Sequence, residues 1–286
     1  MSELSLRLKP VSVLGTPSKI CGLPNRDICV VDPLKRCLWV LDRMGKVKYK
    51  IGTGEKGHKD AHFRDAEFNA PLSAAVFHNS IFVIDRGNNL IREVNLANAS
   101  VTTVKNSPPS PIDIYEYQDK LYILSSTDSS LYSLDPIRNQ ITKEFTGDFK
   151  SASGMTTNGE MLYFCDTSSG SIMAWNGSKM TTLFAASSPS VLNKPMSLSY
   201  SGNNLYIADT YNHQVKILSL ITGALTPLIG TAKPGNKCKD FASSELNHPT
   251  SVFISGMSLF ICDRGNNEIK VAELLMSTVQ PFNVHL

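Results

Sequence analysis

No apolar run in the 286-residue chain approaches the ~18 residues that a membrane-spanning helix needs. The opening MSELSLRLKPVSVLG lacks the uninterrupted apolar core of a secretory signal, so the expectation is a soluble, cytoplasmic protein. An excess of one charge is also missing. The 28 Lys and Arg face 25 Asp and Glu, a net +3, too little by itself to imply nucleic acid or an anionic membrane. The six cysteines, Cys21, Cys29, Cys37, Cys165, Cys238 and Cys262, show neither CxxC spacing nor the density of a disulfide scaffold. Buried free thiols are expected, above all at Cys165 and Cys262, which precede an Asp where matching segments carry Val31, Ile84 and Ala208. Cys29 and Cys37 are the exception: they are placed to face one another across a hairpin, in a bond that would need an oxidising compartment. Asn98-Ala-Ser and Asn176-Gly-Ser fit the glycosylation acceptor pattern but carry no weight without secretion.

Helical periodicity is absent too, since no long segment has a 3.6-residue apolar stripe. What the chain has instead is a sentence written several times: IFVIDRGNNLIREV from Ile81, LYIADTYNHQVKIL from Leu205 and LFICDRGNNEIKVA from Leu259. Aligned on the alternating run, six units emerge, ending at Asp32, Asp85, Ser125, Asp166, Asp209 and Asp263. Two matching insertions, GTGEKGHKDAHFRDAEFNAP and GTAKPGNKCKDFASSELNHP, lengthen two intervals; elsewhere the period is about 40 residues, that of a four-stranded propeller blade. In the second unit the strands read LSAAVF, IFVID, LIREVNL and VTTV, and in the fifth MSLSYS, LYIAD, QVKILSL and LTPLI. The reading is an all-β, six-bladed β-propeller of four-stranded antiparallel blades, one domain over residues 1–286. Packing in a ring covers both faces of every blade.

The repeated corner has a mechanical explanation. The Asp carboxylate is expected to accept from turn amides two or three residues on, and Gly and Asn to supply the positive-φ positions of the hairpin. Asn212-His213 within DTYNHQVKI resembles the NHL repeat, and Asp85-Arg-Gly-Asn-Asn-Leu-Ile-Arg its common variant. The resemblance runs from about Pro17 to Phe282, is strong in units two, five and six, and weakens in unit three (SSTDSS) and unit one (DPLKR). It implies a six-bladed propeller used mainly as a binding platform, for proteins or, as in the NHL domains of tripartite-motif proteins, for RNA.

Signals for chemistry are thin. Gly52-Thr-Gly54-Glu-Lys-Gly57 matches GxGxxG, but no helix pattern follows to present amides to a phosphate. The inner strands contain no His and only Asp113 and Glu116 as acids, a poor supply for calcium or zinc. His58, His62, His78, His213, His248 and His285 lie in loops or turns. A zinc reading, as in a metal-dependent lyase or hydrolase, would require His58, His62 and His248 to meet at the channel mouth. No Ser sits in a GxSxG elbow. No catalytic residue, metal or cofactor is expected.

Function is therefore expected on loops held by a rigid scaffold. The turns between second and third strands and the connections between blades share one face. On it the turns place Lys35, Arg36, Arg86, Asn88, Asn89, Tyr211, Asn212, His213, Arg264, Asn266 and Asn267. The insertions add a rim with Lys56, His58, Lys59, His62, Arg64, Lys233, Lys237 and Lys239. A protein partner is the leading expectation. Single-stranded RNA on the same face is the alternative, with Tyr211 and Phe63 as stacking candidates. Since PVSVLG resembles an outer strand and STVQPF already supplies one, either the first strand closes the last blade or the chain is part of something longer.

Overall fold

A computed structural model describes residues 14–149, 151–274 and 278–282. Each unit folds into an antiparallel meander whose strands lie side by side in chain order. The six inner strands are Lys19–Gly22, Pro71–Phe77, Pro111–Tyr117, Ala152–Thr157, Pro195–Ser201 and Pro249–Ser255. Second strands such as Ser80–Asp85 and Ser258–Asp263 are buried almost throughout. Alternation explains how one strand can be apolar on both sides: Leu259 and Ile261 enter the core shared with blade five, whereas Phe260 and Cys262 enter the core shared with blade one. Six such cores, one per junction, complete the ring. With each fully buried Leu, Ile, Val or Phe contributing about 1.5–3 kcal/mol, stability resides between blades rather than within them.

The ring closes by packing. Ile20, Ile28, Val30 and Trp39 of blade one meet Phe260, Cys262 and Ile269 of blade six. The Ile20 N–H donates to Ser251 Oγ at 3.2 Å, and Thr250 Oγ1 donates to the Pro17 carbonyl at 3.3 Å. Blade six takes its outer strand from Thr278–Phe282, paired with Glu268–Glu273. Of PVSVLG, residues 10–13 lie outside the described residues; Leu14 packs into the junction and the Gly15 N–H donates to Asp32.

The cysteine pairing expected across the first hairpin is not formed. Cys37 lies opposite Asp32, while Cys29 faces Val40 on one side and Cys21 on the other. The corrected register follows from the DPLKR turn, which joins Asp32 directly to Cys37 and shifts Cys29 three residues down the strand.

The two insertions are built alike. In the first, the Gly52 N–H donates to the Phe63 carbonyl, Gly57 to Phe68 and Glu67 to Lys59; in the second, Gly230 donates to Phe241, Gly235 to Leu246 and Glu245 to Lys237. Phe68 and Leu246 are fully buried and pin each insertion into a junction. The first also adds Ala61–His62 as a short fifth strand on the outer edge of blade two.

Candidate partner-binding face

The second-strand acid organises the face by holding each turn to the connection that enters its blade. Asp85 accepts from the Asn69 N–H (2.7 Å) and from Asn88 Nδ2 (2.7 Å). Asp209 does so from Asn193 and Asn212, and Asp263 from Asn247 and Asn266. The donors are thus a backbone amide of the preceding connection and a side chain three residues on. Of the expected turn amides, among the described residues only the Lys35 N–H donates to its corner acid, Asp32. The role given to glycine also needs correction. Asn89, His213 and Asn267 take the left-handed conformation (φ 56°, 53° and 57°), while Gly87 and Gly265 provide close approach: their N–H groups donate to the Asn69 and Asn247 carbonyls at 2.7 Å, and an added Cβ would stand 2.4–2.5 Å from those oxygens. Tyr211 occupies the same place in blade five, with the bond lengthened to 3.1 Å.

Sequence reasoning missed the third member of the corner, a buried cation seven residues after the acid. Arg92 lies 3.2 Å from Asp85, Lys216 2.7 Å from Asp209 and Lys270 2.7 Å from Asp263. Each also donates to carbonyls of the incoming connection: Arg92 to Glu67 and Lys59, Lys216 to Val191 and Ser190, Lys270 to Glu245. Burial raises the Asp85 carboxyl above its ordinary value, although Asn69, Asn88 and Arg92 all favour its charged form. The same position holds Trp39 in blade one, whose Nε1 donates to Asp32 at 3.3 Å, and Tyr132 in blade three.

Blade three departs from the pattern because of a proline. Pro109 stands where the other connections offer an N–H, and proline has none to give. Ser125 replaces the acid and reverses the bond, donating to the Pro109 carbonyl at 2.6 Å. The carboxylate moves to Asp128, where Tyr132 and Lys143 reach it at 2.6 and 2.8 Å. Burial would raise this carboxyl, but Lys143, Ser125 and Tyr132 together outweigh it and hold Asp128 well below the usual range.

These corners divide the candidate residues into two sets. Asn88, Asn212 and Asn266 are spent on the frame, since each also donates to the incoming connection at Gly57, Pro189 or Gly235. Arg86, Asn89, Tyr211, Arg264 and Asn267 are exposed. Among the described residues neither Arg86 nor Arg264 meets a carboxylate. Tyr211 is 48% exposed yet fixed, with Lys194 Nζ 4.7 Å from its ring centre and the His248 ring edge-on at 5.3 Å. Arg264 and Tyr211 line one hollow of about 430 Å³ with Thr210, His248 and Asn267. Rim residues Lys56, His58, Lys59, His62, Arg64, Lys233, Lys237 and Lys239 are exposed, and Lys237 pairs with Glu245. Phe63 is buried at the junction of blades one and two, which removes it as a base-stacking candidate.

His248 does not assemble with His58 and His62. Its N–H donates to His213 Nδ1 at 3.2 Å and the two rings cross at 4.4 Å, and no group of three or more His, Cys, Asp or Glu suited to a metal occurs among the described residues. Burial first, and His248 second, lower the His213 pKa against the pull of Asp263. Asp113 is likewise structural: it takes Lys19 Nζ at 3.2 Å, the Ser73 hydroxyl and the Met155 N–H, tying four blades across the channel.

The family model of the NHL repeat matches residues 192–218, the blade-five stretch that contains the Asp209, Asn212 and Lys216 corner. Blade five of this six-bladed propeller thus carries an NHL repeat. NHL repeat-containing protein 2 from Bos taurus is 25% identical over 96% of this chain and 49% of its own. The chain thus spans about half the length of the curated relatives it matches. Among solved structures it resembles an auxiliary nutrient binding protein from Bacteroides ovatus, with a TM-score of 0.72 and 17% identity over 92% of this chain and 69% of that one. It also resembles virginiamycin B lyase from Staphylococcus aureus, with a TM-score of 0.64 and 12% identity over 95% and 85%. At those identities the likeness is one of fold. As a class, NHL propellers serve as binding scaffolds, and no described helix is long and apolar enough to cross a membrane.

Proposed function

We propose that this propeller is a non-catalytic scaffold that binds a protein partner on its turn-and-connection face, centred on Tyr211 and Arg264. The observation that carries the reading is the shared hollow, in which a guanidinium that meets no carboxylate among the described residues stands together with a half-exposed Tyr ring packed against Lys194 and His248. Arg and Tyr are the side chains most often found at interface hot spots, and a ring already held by Lys194 and His248 loses little freedom on binding. Arg86 extends the face beyond the hollow. Mixed charge on the rim, with Glu55, Asp60, Asp65 and Glu67 among the bases, suits a protein surface better than a phosphate backbone.

Crosslinked pull-downs from lysate, with and without RNase, test this. The expected result is an RNase-resistant protein partner whose recovery falls at least tenfold with Tyr211→Ala or Arg264→Ala while the fold is retained. RNase-sensitive capture would transfer the face to RNA, and equal losses from substitutions on the opposite face would reject it as the binding surface.

A further inference from the structure

On the face opposite the turns, the channel widens into a funnel of about 240 Å³ lined by Lys19, Cys21, Tyr115, Glu116 and Phe253 among others. We propose that Cys21 and Cys29 form a redox-active dithiol at the wall of this funnel, converted by small hydroperoxides into a cross-strand disulfide.

Three observations carry the proposal. The first is register: Cys21 and Cys29 are directly opposed on neighbouring antiparallel strands. The Leu23 N–H bonds to the Asp27 carbonyl at 2.8 Å, so that pair is of the hydrogen-bonded type. Two steps along each strand, Cys21 and Cys29 are of the same type, with a Cα separation of about 5.5 Å, within the range a disulfide spans. Second, access is one-sided, because Cys21 lines the funnel while Cys29 lies fully buried behind it. The third is electrostatic: the neighbouring Cys29 thiol first, and Lys19 as well, lower the Cys21 pKa against its burial, while Cys29 is raised. A thiol of lowered pKa with an opening in front and a resolving thiol behind is the arrangement of a redox cysteine.

The other thiols are unlike this pair. Burial pushes Cys37 up to about 12 and raises Cys165 and Cys262 within closed cores, and Cys238 on an insertion is raised as well.

In the first step the Cys21 thiolate attacks one peroxide oxygen, the O–O bond breaks, and the departing alkoxide takes a proton to leave as an alcohol. Cys21 is then a sulfenic acid. The Cys29 sulfur displaces its hydroxyl, which leaves as water with the Cys29 proton. Overall the two sulfurs lose two electrons and the hydroperoxide is reduced to alcohol and water.

The test uses the reduced chain, hydrogen peroxide, and alkylation followed by tryptic mapping. Cleavage at Lys19, Arg26 and Lys35 puts the two cysteines on separate peptides, 20–26 and 27–35. The expected product is those peptides joined by a disulfide that dithiothreitol reverses, with two of the six thiols lost. Cys29→Ser should instead accumulate a sulfenic acid at Cys21, trapped by dimedone. The proposal is overturned if both cysteines remain alkylatable at peroxide concentrations that oxidise Cys238, or if disulfides form only between chains. The wild-type map decides the question even where a variant fails to fold.

Discussion

Lys270 Nζ lies 2.7 Å from Asp263 Oδ2, and neither side chain has any exposed surface. The ammonium also donates to the Glu245 carbonyl at 2.6 Å, so one cation neutralises the corner acid and fastens the second insertion.

Removing it should be costly. Lys270→Met leaves a buried carboxylate short of its counter-ion and a carbonyl short of its donor, a change expected to lose about 3–5 kcal/mol. Arg264→Met, six residues earlier on the surface, should stay within about 0.5 kcal/mol. Urea unfolding of both variants checks the contrast, and similar midpoints would mean that the buried cation does not hold the corner.

Ser125 and Pro109 give a second prediction. Ser125→Asp points an acceptor at a carbonyl and sets a second carboxylate beside Asp128, for a loss of about 2 kcal/mol or more. Adding Pro109→Ala and Asp128→Asn recreates the N–H and the amide of the other corners, and the triple variant should recover part of that loss. A purely additive series would break the link between the proline and the serine.

The third concerns the glycine at the close approach. Gly265→Ala must push its Cβ away from the Asn247 carbonyl, and the longer bond at Tyr211 shows how much the turn can yield. The expected cost is about 1 kcal/mol with the fold intact. Failure to fold would mean that the blade-six corner lacks the give found in blade five.

The fourth is a pH effect. The folded protein holds the His213 pKa below its ordinary 6.5, so as pH falls below 6.5 the unfolded chain binds a proton that the folded chain refuses. Stability is therefore whole above pH 6.5 and declines toward the lowered folded value. His213→Asn keeps a left-handed residue, as at Asn89 and Asn267, and removes the titration. Denaturation at pH 7.5 and 5.5 should show a larger acid loss for wild type than for the variant, and equal losses would rule out His213 as the source.

What was legible in the sequence was what repeats locally. The alternation of IFVID and LFICD fixed the second strands, because apolar residues facing two junctions leave no polar side. The acid and the Asn three residues on were visible as a corner, but their true partners were not, since Asn69 and Asn247 lie at the far end of a connection. Lys216 and Lys270 escaped because a lysine inside QVKIL or EIKVA looks like the solvent side of an alternating strand. Its burial depends on backbone carbonyls of the preceding connection, donated by a different part of the chain. The Cys29–Cys37 expectation failed on the length of one turn, and a register change of that kind alters every cross-strand neighbour.

The two insertions are secured at matching backbone bonds, at Phe68 or Leu246, and at the carbonyls that receive Arg92 or Lys270. The backbone of each tip is tied down as well, at Gly57 and Lys59 or Gly235 and Lys237, but the exposed side chains of Lys56, His58 and Lys233 make few demands on the ring. Such a part behaves as a display scaffold: its outward letters are available for rewriting, two cassettes at a time, as new specificities are selected or engineered.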